Sequence, residues 1–145
     1  MEFVDKQLAL KLKEKGFDKP CFGWYHITTP PGAFEGRINL NTTARRGADY
    51  QYLLKRHFNE YSPNPNLVNA PTIEQVLEWL REEKKIYVGI AYMPKINDNT
   101  DFYYPTIQKI GDFEPTHFGD NDDEIFNSYD DAAIAGIEYV INNLI

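Results

Sequence analysis

The stretch PTIEQVLEWLREEKKIYVGIAYMP, residues 71–94, changes its hydrophobic period halfway along, and that change decides the fold class. Up to Lys85 the apolar residues Ile73, Val76, Leu77 and Leu80 recur at the three- and four-residue spacing of one helix face. From Ile86 the period is two. Ile86, Val88, Ile90 and Tyr92 alternate with Tyr87, Gly89 and Ala91, as in a strand whose two faces differ. Thr72 stands at the N-cap position and Gln75 three residues on completes a capping box, worth about 1 kcal/mol.

The same order occurs once earlier in the chain. A charged helix over residues 8–15 is followed by an aromatic strand over 21–28, in which Cys21, Gly23, Tyr25 and Ile27 alternate with Phe22, Trp24 and His26. A Pro30-Pro31-Gly32 turn then leads to a partner strand over 37–41. After the second copy, Asn97-Asp98-Asn99 turns the chain into a strand over 102–110, where Pro105 marks an edge strand or a bulge.

Caps and periods bound the helices. The first spans about residues 5–15, with Val4, Leu8 and Leu12 on one face, Lys6, Lys11, Lys13 and Glu14 outside, and Gly16 closing it in the left-handed conformation. A second carries Tyr50, Leu53, Leu54, His57, Phe58 and Tyr61 on one stripe, with Asp49 as cap and Pro63 as stop. A last helix opens with Ser128 and Asp131 and aligns Ala133, Ile137, Val140, Ile141 and Leu144. Gly136 within it costs about 1 kcal/mol relative to alanine, which points to close approach of a neighbouring element.

These elements predict an α+β fold: an antiparallel sheet of about four strands in two hairpins, covered on one face by three to four helices in the order αββα-αββα. Residues 1–145 read as a single domain, with SPNPNLV at 62–68 as a stiff connector and the one candidate boundary. Its expected interior gathers Leu53, Leu54, Phe58, Val76, Leu77, Leu80, Ile137, Val140 and Ile141. A chain of this length buries roughly 68–70% of its unfolded surface without staples. The single cysteine excludes an intramolecular disulfide. No apolar run approaches the ~20 residues of a membrane span. The opening MEFVDKQLALKLKEKG alternates charge with leucine where a signal peptide needs an unbroken apolar run, so a soluble cytoplasmic protein is expected.

The formal net charge of −7 is concentrated. Asp112, Glu114, Asp120, Asp122, Asp123, Glu124, Asp130 and Asp131 fall within residues 112–131 with no Lys or Arg among them. Such a surface repels phosphate backbones and argues against general nucleic-acid binding. Asp120, Asp122, Glu124 and Asp131 occupy positions 1, 3, 5 and 12 of a calcium-loop pattern, with His117 nearby, but Ile125 stands where the loop needs glycine. They are weak metal candidates, and a solvated loop capping the last helix explains the same letters. Cys21 and His26 sit five positions apart on one strand and point to opposite faces, which disfavours a thiol–imidazole dyad. His57, on an apolar stripe, reads as a hydrogen-bonded core histidine. Arg37, Arg45, Arg46, Lys55 and Arg56, interleaved with Tyr50 and Tyr52, form a basic region that reads first as an ordinary solvated surface, partly on the polar face of a helix; its other readings are a stacking groove for a single strand of nucleic acid, an acidic partner protein or the acidic loop of a second copy. No dinucleotide, phosphate-loop, zinc-protease or nucleophile-elbow motif occurs, so no catalytic residue and no cofactor is expected.

Three segments, LKEKGFDKPCFGWY, APTIEQVLEWLREEKKIYV and YDDAAIAGIEYVINNLI, resemble a family of small uncharacterised proteins of Bacteroidetes and their phages and prophages. The shared letters are cap and core patterns. The resemblance implies an intracellular setting, an accessory role in phage or mobile-element biology, and residues 49–68 as an insertion; it supplies no activity. The expectation is therefore a non-catalytic protein-interaction module, binding another protein through Arg45, Arg46, Lys55 and Arg56 or through the sheet face carrying Phe22, Trp24 and His26, with self-association left open. Two alternatives stand beside it. One is a metal-dependent enzyme or binder built on the acidic loop. The other is a nucleic-acid-associated or nucleic-acid-mimicking protein.

Overall fold

A computed structural model describes residues 2–27, 38–40, 66–94, 101–114 and 125–145. The backbone divides into two compact units, Phe3–Thr72 and Ile73–Ile145, the latter joined by Glu2. The mixed helix and strand content is that of an α+β protein. The expected second helix at 49–61, both turns and most of the acidic loop lie outside the described residues.

In the first unit, α1 (Lys6–Glu14) starts where Asp5 accepts a hydrogen bond from the Leu8 N–H at 2.8 Å. Such a cap contributes about 1 kcal/mol. Gly16 ends the helix at φ +90°, and the Gly16 and Phe17 N–H groups donate back to the carbonyls of Lys13 and Leu12. Both bonds of a left-handed helix stop are therefore made, and Phe17 buries itself with Leu12 as that motif favours. Leu8, Ala9 and Leu12 form the buried face. Two lysines read as outward-facing do more than solvate the helix. The Lys6 ammonium donates to the Ile27 carbonyl at 3.1 Å and that of Lys13 reaches the Leu67 carbonyl at 3.5 Å.

The sheet of this unit has the order β2–β1–β3, formed by β1 (Gly23–His26), β2 (Asn39–Leu40) and β3 (Leu67–Ala70), all antiparallel. β1 and β2 are the expected first hairpin. β3 corrects the sequence reading: Leu67 and Val68, assigned to a connector, are paired with His26 and Tyr25. On the inner face of β1 the Tyr25 hydroxyl donates to the Val4 carbonyl at 2.6 Å, tying strand to helix entrance. Beyond β3, the Val4 N–H donates to the Pro71 carbonyl at 3.0 Å and Phe3 bridges Thr72.

In the second unit, α2 (Ile73–Glu83) leads into the hairpin of β4 (Ile86–Pro94) and β5 (Asp101–Lys109), and α3 (Tyr129–Asn143) packs across both strands and against α2. The described strands thus form two sheets, not one sheet of four. The register runs unbroken from Ile86↔Lys109 to Pro94↔Asp101, so Pro105 creates no bulge. The reason lies in the ladder phase. Tyr103 exchanges both backbone bonds with Phe126, at 2.8 Å each, so its polar groups face away from β4. Pro105, two residues on, shares that outward edge, and its missing N–H removes no hairpin bond.

The buried stripe of α2 is Ile73, Val76, Trp79 and Leu80. Leu77, expected in the core, is only half-buried because the stripe is rotated toward Trp79, which is 1% exposed. On α3, the Ser128 hydroxyl caps the helix by accepting from the Asp131 N–H at 3.1 Å, and Ala133, Ile137, Val140 and Ile141 are buried as expected. Gly136 is also buried there. A Cβ at Gly136 would stand 2.8 Å from Val88 Cγ1 and 2.9 Å from Pro105 Cβ, so the glycine lets the helix backbone rest on the hairpin.

Candidate functional site

Along β1 the burial alternates as the sequence pattern requires: Gly23 and Tyr25 are buried, Phe22 and Trp24 half-buried, and His26 exposed. The inner positions face the N-terminal arm, where the Tyr25 hydroxyl meets the Val4 carbonyl and Gly23 lies beside Phe3, which leaves Trp24 and His26 together on the other face. Their rings meet edge to face, with centroids 4.8 Å apart and planes at 81°. Trp24 pairs in register with Asn39 on one side and Asn69 on the other, so the aromatic pair stands on the central strand of the sheet. Such a surface suits contact with another macromolecule, since a rigid aromatic ring gives up little conformational entropy when it is covered.

Cys21 lies just before β1, 4% exposed, with its Sγ 3.3 Å from the Lys19 carbonyl. Burial pushes its thiol up from 9.0 to about 12. The thiolate is the reactive form, so this environment suits a small core residue rather than a nucleophile. At pH 8 iodoacetamide should modify the native thiol roughly a thousandfold more slowly than the thiol of the denatured chain. Equal rates would contradict the burial. Because the folded-state value is the higher one, the stability contributed by the neutral thiol is fully present below pH 9.0 and is lost as the pH rises toward about 12.

Of the other residues singled out by sequence, Asp131 is exposed in the first turn of α3, its N–H held by Ser128. Asp120, Asp122, Glu124 and His117, and likewise Arg45, Arg46, Lys55 and Arg56, lie outside the described residues. Among the described residues no group of three or more His, Cys, Asp or Glu side chains could hold a metal ion. No described helix is long and apolar enough to cross a membrane.

Sequence reasoning missed a second feature of the first unit. A cavity of about 230 Å³ opens between α1 and β3, lined by Ala9, Lys13, Phe17, Leu67, Val68 and Asn69, with Asp18 also on its wall. The local signal was the run Leu67–Ala70 beside Pro71, a short extended segment masked by the preceding Asn-Pro-Asn.

No family model matches this chain, and no solved structure does. Among curated proteins the chain is similar to an arginine–tRNA ligase of Anaplasma phagocytophilum (strain HZ), with 34% identity over 65 residues. That match covers 45% of this chain and 11% of the ligase, so the chain spans about a tenth of the relative's length. A likeness so local brings no activity with it.

Proposed function

We infer that this chain is a non-catalytic accessory module that binds another protein through the outer face of β1. The observation that carries this reading is the Trp24–His26 pair, edge to face on a central strand whose other face is committed to packing. Tryptophan is enriched among the few residues that dominate interface energies, where truncation costs about 2 kcal/mol or more. An accessory role in phage or mobile-element biology is the setting that the family resemblance supports. The acidic 112–131 segment would act in such a module through long-range attraction, favouring encounter with a basic partner more than the final affinity.

The combined Trp24→Ala and His26→Ala variant is the test. Its circular dichroism should match that of the unmodified protein, while capture of the partner recovered from the host should fall roughly thirtyfold, the ratio that corresponds to about 2 kcal/mol. Undiminished capture by a folded double variant would sink the assignment of this face.

A further inference from the structure

Among the described residues β3 stands at the edge of its sheet, and the phase of its ladder tells which of its backbone groups look away from β1. The Ile27 N–H donates to the Asn66 carbonyl at 2.9 Å, and Tyr25 and Gly23 stand opposite Val68 and Ala70. Asn66, Val68 and Ala70 therefore turn their polar groups toward β1, and by the alternation of an antiparallel ladder Leu67 and Asn69 turn theirs to the far side. A little further along, that far side is already in use, since the N-terminal arm pairs there through Val4 with Pro71 and Phe3 with Thr72. At Asp5 the arm turns into α1 and leaves the edge. Beside Leu67 and Asn69 its place is taken by the cavity of about 230 Å³.

We propose that this stretch of edge seats an extended segment of a partner protein, which adds as a strand beside Leu67 and Asn69 and continues the line of the N-terminal arm. Main-chain donors and acceptors at two-residue spacing match an extended backbone and nothing more compact. The cavity volume is below the about 300–1,000 Å³ typical of small-molecule sites and suits one apolar side chain against Ala9, Phe17 and Leu67. Charge sets the rest. Lys13 stands at the Leu67 end, where its 3.5 Å contact with the Leu67 carbonyl is weak enough to be exchanged for a partner N–H. Asp18 stands at the other end, next to Lys19, whose carbonyl takes the Asn69 side-chain amide at 3.3 Å. A segment running antiparallel to β3 would then carry a basic residue, an apolar one and an acidic one, in that order.

This deepens the interaction-module reading and rests on it for the existence of a protein partner, but it uses the backbone edge of β3, beside the side-chain face on which Trp24 and His26 stand. The probe is a displayed library of random ten-residue peptides selected on the full chain. Peptides of the basic–apolar–acidic order should be enriched. Asn69→Pro removes the outward N–H without a β1–β3 bond, as Pro105 does in β5, and should weaken the selected peptides roughly tenfold or more. Asn69→Ala keeps the N–H and should bind within about threefold of the unmodified chain, while Lys13→Glu should select against the acidic residue. Hydrogen exchange gives a readout independent of any ligand: the Leu67 and Asn69 amides should exchange far faster than that of Val68. Equal protection of the three, no enriched peptide, or peptides that bind Asn69→Pro undiminished would each overturn the proposal. A dimer that Asn69→Pro abolishes would overturn it too, by seating a second copy there. Loss of partner capture in the Trp24 and His26 variant together with a failed selection would remove the edge site alone, and the converse pair of results would remove the Trp24–His26 face alone.

Discussion

Trp79→Ala is expected to destabilise the second unit by about 3–5 kcal/mol, the range for truncating a buried large aromatic, and to be the most damaging single change in α2. The ring is 1% exposed and lies on the stripe with Ile73, Val76 and Leu80. Removing it leaves a void that a two-stranded hairpin and two helices have little freedom to close. The Lys84 ammonium, on a half-buried side chain, stands 5.0 Å from the ring centroid, a contact worth about 0.5–2 kcal/mol, so Lys84→Ala should cost less. Leu77→Ala, at a half-buried flank, should fall between the two. Urea denaturation followed by circular dichroism orders the three variants. A Trp79→Ala midpoint no lower than that of Leu77→Ala would mean that the stripe of α2 is rotated the other way.

Gly136→Val is expected to cost about 3 kcal/mol, the upper end of the range for forcing extra carbon into a packed core. The two atoms it meets cannot yield easily. Val88 Cγ1, 2.8 Å from the new Cβ, belongs to a β-branched side chain with restricted χ1, and Pro105 Cβ, 2.9 Å away, belongs to a ring. Gly136→Ala sets two effects of similar size against each other, about 1 kcal/mol gained in helix propensity and a clash of about 1–3 kcal/mol. It should be neutral to moderately destabilising. Thermal denaturation of the pair decides, and a stabilised Gly136→Val would show that α3 does not rest on the hairpin at this point.

These features were legible to very different degrees. The stop of α1 at Gly16, the Ser128 cap and the meaning of Gly136 are written in three to five consecutive letters, because caps and close approaches act locally. The edge position of Pro105 could be read, but its tolerance depends on the phase set by Tyr103 and Phe126, more than twenty residues apart. β3 was missed because four residues next to Pro71 have no period of their own, and only pairing with β1 makes them a strand. Leu77 and Trp79 exchange places for a related reason: both fit the edges of one apolar stripe, and the neighbours chose the edge with the larger ring. The run Leu67–Ala70 signalled at most a short strand there; the cavity beside Leu67 and Asn69 exists only where the N-terminal arm departs from a strand distant in sequence. Lys13, read as a solvated cation, is part of its wall for the same reason.

The pairing of Phe3 with Thr72 also sets a clock. A ribosome adding about 5–20 residues per second needs roughly 3–14 s to make the chain between the two partners. Helix α1, closed by its own terminal bonds, can form within microseconds of its synthesis, and so can a hairpin once its strands exist. The first sheet must wait for β3. Until β3 is made, the backbone edge of β1 that it will pair is open to whatever else is nascent nearby, and slowing translation between residues 27 and 66 should lengthen that exposure and raise the aggregated fraction, whereas slowing it after residue 110 should not.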